Sequence, residues 1–214
     1  MLACDQRRRI VALCQDLSRR GYFAATGGNL ALRLDAQLFL VTPSATDYFR
    51  MTEADVCVVR LADLARVEGD KAPSVETGLH ARVLRYRPDV ICSLHTHQPL
   101  ASAWSLVGAP LEIDDPDARK LIGLRAPLVG YAPSGTSWLS WKLGRALRPD
   151  INGYLLRNHG ALCCGGDVEA SVGATEVLER VAAKRLRALI SAHAASGGRK
   201  ARLAQAIAAM LEDM

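Results

Sequence analysis

The segment VICSLHTH, residues 90–97, is the most informative stretch of this chain. Its apolar run predicts a buried strand, and the strand ends in His95-Thr96-His97. Side chains two residues apart share one face of a strand, so both imidazoles can reach a single ion. An isolated pair of this kind is a weak indication, because structural histidines show the same spacing.

A third histidine lies at the end of another predicted strand. His159 belongs to the turn NHG (158–160), which follows the apolar segment GYLLR (153–157). Three imidazoles with an open fourth position are the usual protein ligands of a catalytic zinc. Manganese, cobalt or iron can occupy the same kind of site. His95, His97 and His159 are therefore candidate ligands of one divalent metal.

Glu76 is the candidate acid or base. It stands in APSVETGLH (72–80), at the start of the helix that precedes the histidine-bearing strand. A carboxylate near a metal can be a fourth ligand, or can remove a proton from the carbon beside a polarised carbonyl. The alternative is a glutamate that only interacts favourably with the helix dipole. Four residues on, His80 fits a core position or one that supports the site.

Short polar loops upstream of these residues suit an anionic group. TGGN (26–29) and TPS (42–44) expose backbone, and Ser74 at a helix N-terminus adds a hydroxyl. Such loops supply N–H and hydroxyl donors to phosphate. Each of them alone is also compatible with an ordinary turn.

The pattern of elements predicts an α/β fold. Strands and helices alternate without the regular βαβ order of a parallel sheet, so we expect a single domain over 1–214 with a central mixed or antiparallel β-sheet flanked by helices. A final short helix is expected after Gly197–Gly198. The earlier predicted helices are 5–20, 75–86 (capped by Ser74), a segment ending near 107, 137–147 and one starting at 167; the predicted strands include 38–41, 56–61, 90–97, 153–157 and 161–164.

Composition narrows the functional classes. Of 214 residues, 50% are hydrophobic and 23% charged, as in globular proteins. No apolar run reaches the roughly 18–20 residues of a membrane helix, and the first residues lack a signal-peptide pattern, so we expect a cytoplasmic protein. The six cysteines form no CxxC pair and fit a reducing compartment. The net charge of +5 is spread along the chain and aromatics are only 5%, which disfavours nucleic-acid binding and suits an anionic substrate.

Taken together, five motifs stand in a fixed order: TGGN (26–29), TPS (42–44), PSVE (73–76), HTH (95–97) and NHG (158–160). In this combination the chain resembles the class II aldolase/adducin family over about residues 5–190. The resemblance implies a largely antiparallel sheet flanked by helices. It also implies a homotetramer with active sites between subunits.

The resemblance further assigns roles to individual residues. It implies zinc held by the three histidines, and Glu76 as an acid/base that can also touch the metal. The substrate is expected to be a small phosphorylated or anionic sugar. The residues implied to bind its phosphate are Gly28, Asn29, Ser44 and Ser74.

Aldol cleavage of a ketose phosphate is the expected reaction. The family's zinc binds the carbonyl and a neighbouring hydroxyl, and stabilises the enediolate that forms when the carbon–carbon bond breaks. The same role suits dehydration of the methylthioribulose 1-phosphate type, 4-epimerisation and decarboxylation, which remain alternatives. A non-catalytic adducin-like module predicts loss of the metal ligands, whereas all of them are present here.

Three departures limit the assignment of a subtype. Val75 stands where sugar-phosphate aldolases tend to carry a second serine, and Ala45 where a glycine often follows the phosphate-binding residue. The fuculose-phosphate type also donates a tyrosine across the subunit interface, and ungapped matching puts Pro116 at that place. Asp115 and Asp117 are candidate replacement proton donors; the alternative is that they are solvated loop carboxylates.

Overall fold

The computed structural model describes residues 1–24, 27–195, 201, 204, 205, 207 and 208. Within these residues, none of the helices combines the length and the apolar character needed to cross a membrane. The helices are α1 (Cys4–Arg19), α2 (Thr77–Tyr86), α3 (Pro99–Val107), α4 (Pro116–Ile122), α5 (Ser137–Ala146) and α6 (Val168–Ala195). The strands are β1 (Asn29–Arg33), β2 (Leu38–Val41), β3 (Cys57–Arg60), β4 (Arg66–Glu68), β5 (Cys92–Thr96), β6 (Leu111–Glu112), β7 (Arg125–Ala126), β8 (Leu128–Val129), β9 (Gly153–Leu156) and β10 (Gly160–Gly165).

Eight of these strands form one sheet in the order β4-β3-β2-β1-β5-β10-β9-β8. Every neighbouring pair in it is antiparallel except β8 and β9, which are parallel. Strands β6 and β7 pair separately. The predicted α/β fold with a mixed, mainly antiparallel sheet flanked by helices is confirmed.

Strand β5 lies in the interior of the sheet, and its two faces meet different partners. Leu94 packs into a buried apolar cluster with Ile10, Cys14 and Leu17 of α1. Ser93 points to the opposite face, where its hydroxyl contacts a side chain of α2. This alternation follows from the two-residue period of a strand. His95 therefore shares the α2 face with Ser93.

Local boundaries differ from the predicted ones at α2. The helix begins at Thr77, and Glu76, not Ser74, is its N-cap, without a side-chain capping bond. The Ser74 hydroxyl instead accepts the backbone N–H of Glu76, 3.2 Å away. Residue 73 is tied to the TPS loop by a backbone bridge between Pro43 and Pro73. This tie holds the chain in a turn before the helix begins, so the predicted Ser74 cap was wrong.

The sequence pattern of LEIDDPDARK (111–120) predicts loop and short strand, but the structure has a helix here. Asp115 caps α4 by accepting the N–H groups of Asp117 and Ala118, and Pro116 occupies the first turn. An Asp cap followed by Pro is a standard helix start, so the sequence did carry the signal. Strand β4 was also missed. The predicted break at Gly197–Gly198 lies outside the described residues, as does most of the final short helix.

Truncating Leu94 to alanine should destabilise the protein without emptying the histidine site. Leu94 is fully buried, and deleting such a side chain costs about 2–5 kcal/mol in the free energy of unfolding. Chemical denaturation measures this loss, and metal content of the folded variant should stay unchanged because Leu94 faces away from α2. Leu106→Ala is the matched control, since Leu106 is 65% exposed. Equal stability of the two variants would contradict the described packing.

Candidate metal centre and active site

The sheet brings the three candidate histidine ligands together. His95 is in β5, His97 lies just beyond it, and His159 is in the turn between β9 and β10. Strand β10 pairs with β5, placing Ala161 opposite Thr96 and the turn beside the HTH segment. One nitrogen from each ring lies within 4.8 Å of the other two. The ligand set predicted from the motifs is thus compact enough for one ion.

Hydrogen bonding fixes which nitrogen of His95 faces the cluster. Its Nδ1 lies 2.8 Å from the carbonyl oxygen of Ala161, so Nδ1 carries the proton and donates it. Its Nε2 then lies 3.0 Å from Nε2 of His97 and 3.2 Å from Oε2 of Glu76. A backbone carbonyl that holds the far nitrogen is the usual support of a metal-bound imidazole.

The electrostatics of this cluster favour a cation. Burial lowers the pKa of His95 to about 3, and it also lowers the pKa of His97, so both rings are neutral near pH 7. A neutral His95 with its proton on Nδ1 directs the lone pair of Nε2 at an oxygen of the ionised Glu76 carboxylate, 3.2 Å away. Lone pairs converging at this distance repel unless a positive charge lies between them. The donor set therefore fits a divalent metal.

Glu76 is held in contact with the histidines. It is 5% exposed, and its carboxylate accepts hydrogen bonds from Nδ2 of Asn29 (2.8 Å) and Oγ of Ser134 (2.9 Å). Its Oε1 also lies 3.4 Å from Nε2 of His159. Burial opposes ionisation, but the hydrogen bonds that Asn29 and Ser134 donate stabilise the charged form, and the pKa of the Glu76 carboxyl lies below its usual value. An ionised carboxylate at this place can take a proton from a bound substrate.

A cleft next to the cluster is lined by the predicted phosphate-binding residues. Its walls include Gly28, Asn29, Ser44 and Ser74, together with Glu76, His97 and Ser134. Backbone bonds from Ser44 N–H to Ala72 O and from Ser74 N–H to Thr42 O tie the two serine loops together. Since those N–H groups are used, an anion in the cleft would be met by the serine hydroxyls.

Gly27 and Ala45 show which backbone geometry the two polar loops require. A Cβ at Gly27 would lie 2.5 Å from Nδ1 of His97, so this glycine lets the imidazole approach the loop. Ala45 follows Ser44 with a φ of 48°, in the left-handed region that glycine adopts more readily. The loop thus keeps a glycine-like turn even though the residue is alanine. Thr26, the first residue of TGGN, lies outside the described residues.

Asp115 and Asp117 do not line this cleft. Asp115 caps α4, and hydrogen bonds from the backbone N–H groups of Ala118 and Asp117 lower the pKa of its carboxyl. Asp117 pairs with Lys120 at 2.7 Å. Each aspartate therefore has a local role in the single chain, and their catalytic role stays a prediction that needs a second copy.

Two serines that sequence reasoning did not name, Ser134 and Ser93, also belong to the site, together with His80, for which the sequence predicted a core or supporting position. Ser134 contacts Glu76 from the loop before α5. His80 and Ser93 form hydrogen bonds behind Asn29. No motif marks Ser134 or Ser93, whereas the position of His80 four residues after Glu76 was a usable signal, since both project from neighbouring turns of one helix.

Comparison with known proteins identifies the family. The model of the class II aldolase and adducin N-terminal domain matches residues 8–186. The chain belongs to the class II aldolase/adducin family. It therefore has relatives that are aldolases and dehydratases.

Two curated relatives and one solved structure illustrate this. The L-fuculose phosphate aldolase of Methanococcus maripaludis is 28% identical over 172 residues, covering 80% of this chain and 91% of the relative. The methylthioribulose-1-phosphate dehydratase of Serratia proteamaculans is 31% identical over 186 residues, covering 82% and 91%. The structure of an L-fuculose 1-phosphate aldolase superposes with a TM-score of 0.82 at 23% identity, covering 99% of this chain and 98% of the other, which shows the shared fold.

Removing His95 should remove the metal. Purified protein is expected to carry about one zinc per chain, and His95→Ala should lose most of it because the central ligand is gone. Elemental analysis after dialysis measures this. His193→Ala is the matched control, since His193 is exposed near the end of α6. Zinc retained in full by His95→Ala would refute the ligand assignment.

Proposed function

We propose that this protein is a metal-dependent lyase that cleaves a carbon–carbon bond in a small ketose phosphate, with zinc as the metal. The observation that carries the proposal is a single cleft lined by Glu76, by one of the three clustered histidines and by the hydroxyls of Ser44 and Ser74. Such a cleft offers a proton acceptor, a metal site and anion donors to one small molecule. Manganese, cobalt and iron are the alternatives to zinc.

The three histidines would hold the ion through their facing nitrogens. A bound divalent ion supplies Lewis-acid stabilisation of the negative charge that develops beside a carbonyl. Glu76 then exchanges the proton: its carboxylate accepts a proton from the substrate, and the two hydrogen bonds from Asn29 and Ser134 hold it in place. The buried setting strengthens each of these electrostatic contacts.

The substrate class follows from the anion donors and from the relatives. Ser74 already accepts the backbone N–H of Glu76, so its hydroxyl proton is left to donate to a phosphate oxygen. Ser44 offers a second hydroxyl in the same cleft, beside Gly28 and Asn29. The relatives act on phosphorylated sugars by name. A net charge of +5 favours an anionic substrate as well.

Dehydration of a ketose phosphate is the second candidate. The dehydratase relative is 31% identical. Ungapped matching puts Pro116 at the position at which the aldolase branch would place its tyrosine. Pro116 is held at the start of α4 and has no proton to give. A reaction that does not need that tyrosine, including epimerisation or decarboxylation, would tolerate the change.

The proposal includes a homotetramer with active sites between subunits. Asp115 and Asp117 are exposed at the start of α4, where a neighbouring copy could present them to the cleft. In an aldolase they would protonate the leaving group in place of the missing tyrosine. A monomer in light scattering would contradict this part of the proposal. The predicted cytoplasmic location and the absence of nucleic-acid and membrane partners remain predictions.

Replacing Glu76 by glutamine should separate metal binding from turnover. Glu76→Gln is expected to keep its metal, because the three imidazoles remain, and to lose at least about a hundredfold in kcat, because the proton acceptor is gone. Steady-state kinetics and metal analysis on the same sample measure both. The matched control is Glu112→Gln, on an exposed residue of β6. Full activity of Glu76→Gln would end its role as the acid/base.

The reaction itself is tested with a panel of ketose 1-phosphates. Zinc-loaded protein is incubated with fuculose, rhamnulose and 5-deoxyribulose 1-phosphates, and dihydroxyacetone phosphate is detected with a coupled reductase. Its release, abolished in His95→Ala, would establish the aldolase. No release from a metal-loaded protein would contradict it, and loss of water from methylthioribulose 1-phosphate would then establish the dehydratase.

A further inference from the structure

A continuous hydrogen-bonded chain of side chains runs behind Glu76. Ser93 Oγ lies 2.8 Å from Nδ1 of His80, and Nε2 of His80 lies 2.7 Å from Oδ1 of Asn29. Asn29 Nδ2 in turn lies 2.8 Å from Oε2 of Glu76. Ser93 and His80 are fully buried and Asn29 is 6% exposed, so water does not compete for these bonds.

The carboxylate at one end of this chain determines which atom of each group carries the proton. The ionised carboxylate of Glu76 only accepts, so Asn29 must present its NH₂ group to it. The carbonyl of Asn29 then faces His80, and Nε2 of His80 must carry a proton to donate. In a neutral imidazole the other nitrogen accepts, so the hydroxyl of Ser93 donates to Nδ1. Each orientation is thus imposed by the next group.

The alternative orientation of the amide would be unfavourable. If Asn29 were turned by half a rotation, its carbonyl oxygen would lie against the carboxylate of Glu76, and its NH₂ group would face His80. Two oxygens carrying negative charge at hydrogen-bond distance repel, most strongly where water is excluded. His80 as an Nε2–H donor excludes this arrangement because it offers the amide oxygen a partner on the correct side.

We propose that His80 is a positioning residue, which rests on the proposed function of Glu76: it fixes the amide of Asn29 so that this amide orients the carboxylate for proton transfer. His80 does not contact the cleft, since it is absent from its lining. The second N–H of Asn29 stays available to a bound anion, so the two roles of Asn29 are compatible.

A buried histidine is unfavourable as a simple core residue, because both of its ring nitrogens lose water and need other hydrogen-bond partners. Burial lowers the pKa of His80 to about 4, so the ring is neutral and both of its nitrogens require partners. Those partners come from β1 and β5, the two strands that also carry the site. An apolar residue on α2 would fill the same space without ordering Asn29.

The first test determines the tautomer in zinc-loaded protein. Histidine labelled with ¹⁵N on both ring nitrogens is examined by solid-state NMR, and the signals of His80 are assigned by their loss in His80→Gln. We expect a neutral ring protonated at Nε2 and unprotonated at Nδ1. A ring protonated at Nδ1 alone would overturn the proposal, because the amide of Asn29 would then have to be reversed. This readout does not depend on turnover or on the substrate.

The second test compares two variants of His80. His80→Gln keeps an N–H near the position of Nε2, whereas His80→Phe keeps the volume and loses the donor. We expect kcat of His80→Phe to fall about 10- to 100-fold, with KM changed little and zinc still bound, and His80→Gln to recover much of the loss. His193→Gln serves as the matched control on an exposed histidine.

A structural role alone predicts a different result. In that case both variants lower the melting temperature, while the folded fraction keeps a normal kcat, and this outcome would overturn the proposal. If His80→Phe does not fold, Ser93→Ala provides a milder change, since it removes only the donor to Nδ1 of His80. A normal kcat of Ser93→Ala, with His80 protonated at Nδ1 in that variant, would also contradict the proposal. If none of the ketose phosphates is a substrate, the NMR measurement of the His80 tautomer still tests whether His80 orients Asn29.

Discussion

The antiparallel register of β5 with its two neighbours is the constraint on which the site depends. Asn29 of β1 lies directly opposite His95, and Leu162 of β10 lies opposite His95 on the other side. This pairing brings the TGGN loop to one flank of the HTH segment and the NHG turn to the other. A slip of one residue would move His95 to the α1 face of the sheet, because side chains alternate along a strand.

Burial gives the site its chemical character. Neutral imidazoles with their lone pairs directed inward bind a cation, and burial keeps the imidazole of His95 neutral. Glu76 is ionised although it is buried, because hydrogen bonds from Asn29 and Ser134 replace the water that its carboxylate has lost. The ionised carboxylate of Glu76 brings one negative charge to the site, and the two positive charges of a divalent ion would more than offset it. An anionic substrate is then attracted to it.

Sequence periodicity predicts some contacts of the site, but not the contacts that depend on pairing between distant strands or on loops. The approach of His95 and His97 follows from their two-residue spacing at the end of β5. The approach of His159 depends on pairing between strands more than 60 residues apart, and only the ordered motifs indicated it. Ser134 reaches Glu76 through a loop whose path no pattern encodes. The start of α2 shifted because contacts between loops, rather than the capping preference of Ser74, decide where the helix begins.

We propose that three imidazoles, and none of the six cysteines, hold the metal. X-ray absorption spectroscopy at the zinc edge of the loaded protein tests it most directly, because nitrogen and sulfur ligands differ in distance. We expect a first shell of nitrogen and oxygen at about 2.0–2.1 Å, with the outer scattering of three imidazole rings. A shell of sulfur at about 2.3 Å, or a spectrum without imidazole scattering, would contradict it.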